Sequence, residues 1–245
     1  MKVLGVIPAR LHSTRLPKKV LREIIGHPMI EYVYRRAKKC DLLTDVLIAT
    51  DSEEVMATCK KVGINAIMTG EHSSGSDRLY EVLTKTDADI YVNIQGDEPM
   101  VSPDQLRLLL CPFMESKQTM VTTLCTPISD EDAQDPSNVK VVIDKNGNAL
   151  YFSRWSIPYD RDGKGAVQRF KHIGLYGYRR DALERFHHLP TSPLEEAEKL
   201  EQLRLLSNGI PIHVIETTVD TIGVDTEEDL KQVEAYFFSH PEEQL

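Results

Sequence analysis

The sequence predicts an α/β protein with a mostly parallel sheet, followed by a smaller part richer in antiparallel strands. Through the first half, short apolar runs alternate with amphipathic stretches of helical period, as in βαβ units whose strands are buried on both faces. After about residue 117, strand-like runs follow one another, joined by turns such as Asp144-Lys145-Asn146-Gly147. The first apolar run also ends in a loop carrying Arg10, Arg15, Lys18 and Lys19, although the chain has 29 basic against 38 acidic residues, net −9. In an open α/β sheet, the carboxyl end of a buried strand is where phosphates bind; a solvated charged loop is the competing account.

Taken in order, Val3–Ile7 reads as a strand and Met29–Lys39 as a helix with Met29, Ile30, Val33 and Ala37 on one side. Val46–Thr50 is a strand, Glu53–Val62 a helix, Ile64–Met68 a short strand, Ser76–Leu83 a helix and Ile90–Ile94 a strand. Met120–Thr126, Val139–Ile143, Ala149–Phe152 and His172–Tyr178 are strand-like, and residues 159–170 read as a mobile loop. Ser192-Pro193-Leu194-Glu195 is a capping box with proline at the first helical position, and Gly209 is expected to close that helix. Pro211–Glu216 is a strand and Thr226–Phe238 a final helix, with His240–Leu245 a loose tail. The 245 residues suit one large domain, or a main domain with a smaller lobe.

Composition narrows the function classes. The longest apolar stretch, Leu108–Met114, contains Pro112 and is too short to span a bilayer, and no secretory apolar segment precedes Pro8. Cys40, Cys59, Cys111 and Cys125 are widely spaced and read as reduced core thiols of a cytoplasmic protein. An acidic chain with one basic loop suits a small polyanion rather than a nucleic acid, which would require a basic face.

Four further motifs carry chemistry. In Gln95-Gly96-Asp97-Glu98-Pro99 a buried strand ends in a tight turn. Gly96 lets the backbone approach a ligand, and Asp97 either holds Mg²⁺ against a phosphate or caps local amides. In Gly223-Val224-Asp225-Thr226, Thr226 is the N-cap, closed by Asp229; Asp225 is left to ligate a metal beside Asp97, or to complement the helix dipole. In Ser73-Ser74-Gly75-Ser76-Asp77-Arg78, Ser74 and Gly75 can approach a planar base, while Ser76 can equally cap the next helix. Glu201 shares a helical face with Ala197 and Leu205, and a carboxylate on an apolar stripe needs a partner or a ligand. Arg154 suits bidentate carboxylate recognition. His172 taken alone is more often a satisfied histidine than a catalyst.

Together these motifs resemble the 3-deoxy-manno-octulosonate (Kdo) cytidylyltransferases over nearly the whole chain. The resemblance runs through Ile7-Pro8-Ala9-Arg10, Ser13-Thr14-Arg15-Leu16-Pro17, Ala49-Thr50-Asp51, Ser74 to Arg78, Gln95 to Pro99, Val139-Lys140-Val141-Val142, Ala149 to Arg154, Lys171 to Gly177, Leu200-Glu201-Gln202-Leu203-Arg204 and Val224-Asp225-Thr226. It implies a Rossmann-like α/β nucleotidyltransferase core with a mostly parallel sheet (about 1–117 and 210–239) and a smaller, antiparallel-strand-rich lobe for sugar binding and dimerisation (about 118–209). The implied enzyme is a cytoplasmic homodimer that uses Mg²⁺ and makes CMP-Kdo and pyrophosphate from CTP and Kdo for lipopolysaccharide synthesis.

By the same resemblance, Arg10, Arg15 and Lys19 bind the triphosphate, and Ala9, Ser74, Gly75 and Arg78 surround the cytidine. Gln95 lies between nucleotide and sugar, Asp97 and Asp225 hold Mg²⁺, and Arg154, His172, Tyr176, Glu201 and Gln202 form the sugar pocket. The family often has glycine where Lys18 stands, which leaves the division of labour between Lys18 and Lys19 open. A cytidylyltransferase for sialic acid or an 8-amino Kdo analogue is the nearest alternative. A non-catalytic nucleotide binder would not need both Asp97 and Asp225, and no D-x-D follows a core strand, as a metal-dependent glycosyltransferase would have.

Overall fold

Apolar runs of the first half become strands that stop at polar residues, and amphipathic runs become helices. The computed structural model describes every residue except His12, Thr14, Ser73, Lys164 and Ala166. In chain order the strands are β1 (Val3–Pro8), β2 (Glu23–Ile24), β3 (His27–Pro28), β4 (Asp45–Thr50), β5 (Ala66–Met68), β6 (Ile90–Asn93), β7 (Val121–Ile128), β8 (Lys140–Ile143), β9 (Ala149–Ser153), β10 (Arg169–Arg179) and β11 (Ile212–Glu216). The helices are α1 (Met29–Lys38), α2 (Glu53–Val62), α3 (Gly75–Lys85), α4 (Pro103–Glu115), α5 (Arg180–His188), α6 (Pro193–Glu198), α7 (Gln202–Ser207) and α8 (Glu227–Ser239). No described helix is long and apolar enough to cross a membrane.

The chain forms two compact units, Met1–Arg107 with Thr221–Leu245, and Leu108–Asp220. The sequence reading set the boundaries near 117 and 210. The structure sets them inside α4 and beyond β11, because β11 pairs in parallel with β7, from Ile212 opposite Val121 to Glu216 opposite Cys125.

In the first unit four parallel strands lie in the order β6, β1, β4, β5. Parallel pairing places their carboxyl ends on one edge, which therefore carries Ala9–Arg10, Asp51, the residues after Met68, and Gln95–Asp97. An apolar cluster of Leu16, Ile24, Met29, Tyr32, Val224, Leu230, Val233 and Phe237 joins the loop after β1, the β2–β3 hairpin, α1 and α8. Glu23 and Ile24 pair with Pro28 and His27, a hairpin too short to leave a period in the sequence. The terminal residues are not loose: Glu243 accepts from Arg36 at 2.9 Å and from the Tyr236 hydroxyl at 3.0 Å, and Gln244 Nε2 donates to the Phe237 carbonyl at 2.7 Å.

In the second unit β10 pairs antiparallel with β7 and β8, and β8 with β9. Strand β10 begins at Arg169, which faces Ile128, so the stretch expected to be mobile ends before Arg169 and Phe170. The capping box is present, with Ser192 accepting from the Glu195 amide and Glu195 from the Ser192 amide. That helix does not run on to Gly209. It stops at Lys199, whose backbone is left-handed (φ 54°), and α7 begins at Gln202. Arg204 on α7 donates through Nε to Glu195 on α6 at 2.8 Å, tying the two short helices together.

Candidate active site

The basic loop after β1 turns its two lysines apart. Lys18, in a left-handed conformation, leads outward and pairs with Glu54 at 2.7 Å, with both side chains about half exposed. Such a pair contributes about 0–1 kcal/mol. Lys19 turns inward and bridges two carboxylates, reaching Asp97 Oδ2 at 2.5 Å and Asp225 Oδ1 at 2.8 Å. Burial on its own lowers the affinity of Lys19 for its proton, but the charges and hydrogen bonds of Asp97 and Asp225 prevail and hold its pKa above the usual lysine value. Arg15 completes the cluster at 3.0 Å from Asp225 Oδ2. Asp97 and Asp225 are far apart in sequence but are joined through the backbone, the Val224 N–H donating to the Asp97 carbonyl at 2.8 Å. Buried Leu16 and Val224 seat both segments in the apolar cluster. Asp225 is free of capping duty, since Thr226 caps α8 with Asp229 as its reciprocal partner.

Gly96 is required by the scaffold. A Cβ there would lie 2.8 Å from the Pro8 carbonyl oxygen, so only glycine lets the turn after β6 pass the end of β1. Gln95 is half-buried at this edge, and Ala9 is fully buried with its N–H on the Ala49 carbonyl at 2.8 Å. Asn93, which the sequence reading left without a role, is buried, and its Oδ1 completes no hydrogen bond among the described residues.

The serine-glycine motif starts α3 two residues earlier than a Ser76 cap would. Ser74 is the N-cap, accepting from the Asp77 amide at 3.1 Å, and Gly75 is the first helical residue. Arg78 is buried and makes a 2.7 Å ion pair with Asp51 while also donating to the Thr69 hydroxyl and the Gly70 carbonyl. Asp51 was legible as a polar residue ending a buried strand, the same signal that singled out Asp97. One turn on, Glu81 accepts from the Gly70 amide at 2.9 Å, His72 at 2.5 Å and Lys85 at 2.6 Å. Arg78 and Glu81, three apart on α3, thus grip the loop after β5 from one helix face.

Burial alone would raise the Glu81 pKa, but Lys85, His72 and the Gly70 amide hold it at about 2, well below its ordinary 4.5. A carboxylate with a depressed pKa contributes stability above the unfolded value and loses it as pH falls through the folded one. The melting temperature is therefore expected to drop more steeply in the wild type than in Glu81→Gln as pH is lowered from about 4.5 towards about 2. Parallel melting curves would show this group to be silent.

The remaining residues singled out from the sequence lie in the second unit. His172 Nε2 is 3.0 Å from the Thr123 hydroxyl, whose own proton goes to the Leu175 carbonyl at 2.8 Å. His172 therefore donates through Nε2. Burial pushes its pKa down to about 3, so the ring is neutral at pH 7. Tyr176 sits 5.3 Å from the His172 ring and 5.7 Å from Tyr178. Burial first, and then the neighbouring Tyr178 and Glu201, keep its phenol protonated. That oxygen completes no hydrogen bond among the described residues, the nearby Thr123 hydroxyl being committed to a carbonyl.

Arg154 does not stand ready as a carboxylate fork. Its Nε donates to the Glu198 carbonyl at 2.8 Å and its Nη1 to the Pro136 carbonyl at 3.1 Å. Glu198, with no signal in the sequence, accepts from the Ser153 hydroxyl at 2.7 Å and the Arg154 amide at 2.9 Å. Buried Lys140 completes this clamp through the Asp135 and Arg154 carbonyls. Glu201 lies at the junction of α6 and α7 rather than on one helix stripe, half-buried and next to buried Gln202.

Comparison with known proteins bears on both units. A protein-family model described as cytidylyltransferase matches residues 4–217. A 3-deoxy-manno-octulosonate cytidylyltransferase of Acidobacterium capsulatum is 58% identical over 235 residues, covering 96% of each chain. One of Koribacter versatilis is 53% identical, covering 96% of this chain and 89% of its own. The structure of a CMP:2-keto-3-deoxy-manno-octonic acid synthetase complexed with CTP superposes with a TM-score of 0.95 at 45% identity, covering 98% of this chain and 100% of that one. By these matches, spanning nearly its whole length, the chain belongs to the 3-deoxy-manno-octulosonate cytidylyltransferase family.

Proposed function

We propose that the protein transfers CMP from CTP to the anomeric 2-hydroxyl of Kdo, with release of pyrophosphate. The observation that carries this reading is the gathering of Arg15, Lys19, Asp97 and Asp225 at the carboxyl edge of a parallel sheet, in a relative of a synthetase solved with CTP. The sugar oxygen attacks the α-phosphorus, the bond from that phosphorus to the bridging oxygen breaks, and the hydroxyl proton is released. Such a transfer asks the protein for positioning and charge stabilisation rather than a covalent bond.

Arg10, Arg15 and Lys19 take the triphosphate and stabilise the leaving pyrophosphate. Ala9, Ser74, Gly75 and Gln95 lie against the nucleoside, and Arg78 fixes the loop beside it through Asp51 and Gly70. Asp97 and Asp225 fit Mg²⁺, because one ammonium already draws both carboxylates together. Among the described residues no group of three or more His, Cys, Asp or Glu could hold a metal, so the ion would have Asp97 and Asp225 as its protein ligands, and one or two carboxylates are usual for it. When bound, Mg²⁺ held by Asp97 and Asp225 would supply polarisation of the α-phosphate and a lowered pKa for the attacking hydroxyl.

In the second unit, Tyr176, Glu201 and Gln202 take the sugar, His172 offers neutral hydrogen bonding, and Arg154 holds the Glu198 turn that leads to Glu201. Two copies of the chain assemble as a dimer; exposed Leu150, Trp155 and Tyr159 support a partner surface. The four cysteines are unpaired, Cys40, Cys59 and Cys125 buried as core thiols and Cys111 exposed instead, and their free state supports a reducing, cytoplasmic setting.

Pyrophosphate release with CTP and a panel of 2-keto-3-deoxy sugars tests the reading. Kdo is expected to exceed sialic acid, and CTP to exceed UTP by about a hundredfold or more, since a site hydrogen-bonding the cytosine amino group leaves polar groups unpaired on uracil. Equal rates with Kdo and sialic acid would overturn the sugar assignment, and equal rates with UTP the nucleotide assignment.

A further inference from the structure

A cavity of about 350 Å³ opens within the first unit, lined by Arg10, Leu11, Asp51, Ser52, Glu71 and His72. Its walls are the segments that follow β1, β4 and β5, the edge where an open parallel sheet takes its ligand. Of its charged groups, Asp51 is already paired with buried Arg78, and Glu71 is exposed. Arg10 and His72 remain as the groups able to meet an anion.

His72 is oriented from behind. Its Nε2 lies 2.5 Å from Glu81 Oε2, and that carboxylate is itself fixed by Lys85 Nζ and the Gly70 amide. Glu81 stays ionised to about pH 2, so the anchor is a charged one across the working range. With Nε2–H donated to the carboxylate, a hydrogen bond from the ring to an anion requires the imidazolium, whose Nδ1–H is the remaining donor. The anchor sits on α3, which Ser74 and Arg78 hold in register with the same edge.

We propose that His72 is a nucleotide-binding residue that contacts the triphosphate of CTP beside Arg10, and that Glu81 is the positioning residue that aims it. The inference rests on reading this edge as the CTP site. Nothing in the sequence motifs singled out either residue, since the serine-glycine motif begins after His72 and Glu81 lies on the helix that follows.

The test is equilibrium binding of CTP and of cytidine to the full-length wild type and to His72→Ala, His72→Gln, Glu81→Gln, His72→Ala/Glu81→Gln and Arg10→Ala, with melting temperatures for each. Loss of one hydrogen bond to a charged oxygen is expected to weaken CTP about tenfold to a hundredfold in His72→Ala. Cytidine binding should be unchanged, and His72→Gln, which keeps a donor, should recover part of the loss. Glu81→Gln should weaken CTP less, and the double variant should bind no worse than His72→Ala, because Glu81 acts through the imidazole.

Wild-type CTP affinity in His72→Ala, alongside weakened Arg10→Ala, would overturn the proposal and leave the nucleotide site standing. Equal losses for CTP and cytidine, or strictly additive losses in the double variant, would also overturn it. Unchanged CTP affinity in Arg10→Ala would instead remove the nucleotide reading of the cavity. If His72→Ala is unfolded at the assay temperature, His72→Gln decides: no loss for CTP overturns the proposal, and a loss confined to CTP supports it.

Discussion

Asparagine at Asp97 or at Asp225 is expected to lower turnover about a hundredfold to a thousandfold while leaving the fold intact. Each substitution removes one formal charge from a pair of carboxylates that share Lys19. A divalent ion held there is worth several kcal/mol of charge stabilisation in the transition state, and each 1.36 kcal/mol is about tenfold in rate. The fold should survive because the contact joining the two segments is a backbone one, from the Val224 N–H to the Asp97 carbonyl, and the apolar cluster beneath is untouched. Pyrophosphate release at saturating Mg²⁺, with melting temperatures as control, measures both points. Near-normal turnover in both folded variants would remove these residues from the chemistry.

Phe237→Ala should produce the largest loss of stability, about 3–5 kcal/mol. The ring is fully buried, packs tilted by 33° against Tyr32 at 4.6 Å between centroids, and lies under the Arg36 guanidinium at 5.7 Å. Its removal leaves a cavity in the cluster that also seats Leu16, three residues before Lys19, and Val224, next to Asp225. Turnover should therefore fall along with stability, although Phe237 is a core side chain. Phe237→Leu, which refills much of the volume, should restore most of both. Chemical denaturation followed by a steady-state assay tests the pair of claims; an alanine variant as stable as wild type would show that α8 is held by other means.

The α/β class was legible because buried parallel strands write themselves as unbroken apolar runs, and β1, β4 and β6 do so within one residue at each end. Both late capping boxes were legible because their chemistry is local. What escaped was set by partners distant in sequence. The β2–β3 hairpin has two residues per strand and no period to detect. Helix α4 contains Pro112, which reads as a breaker, yet it runs on to Glu115. The break at Lys199 is paired with the Glu195–Arg204 tie, and a left-handed lysine carries no signature in composition.

The site divides in the same way. That Asp97 and Asp225 could stand together followed from strand ends and from Thr226 taking the cap. That Lys19 rather than Lys18 would join them did not, because a single left-handed residue decides which lysine turns inward. Motif Ser13-Thr14-Arg15 loses Thr14, and Ser73-Ser74 loses Ser73, to positions outside the described residues.

The Lys19 bridge has a thermodynamic corollary. An ammonium shared by Asp97 and Asp225, with Arg15 on the second of them, leaves that corner close to charge balance. Whatever draws Lys19 and Arg15 towards phosphate oxygens unmasks the carboxylates, and whatever cation settles on the carboxylates releases Lys19 and Arg15 for phosphate. Each event raises the affinity for the other by the same factor, because coupling between two binding equilibria is reciprocal. On the proposed function the corner would work as an exchange of counterions: at rest the protein supplies both partners, and a bound metal and a bound nucleotide would each take one over.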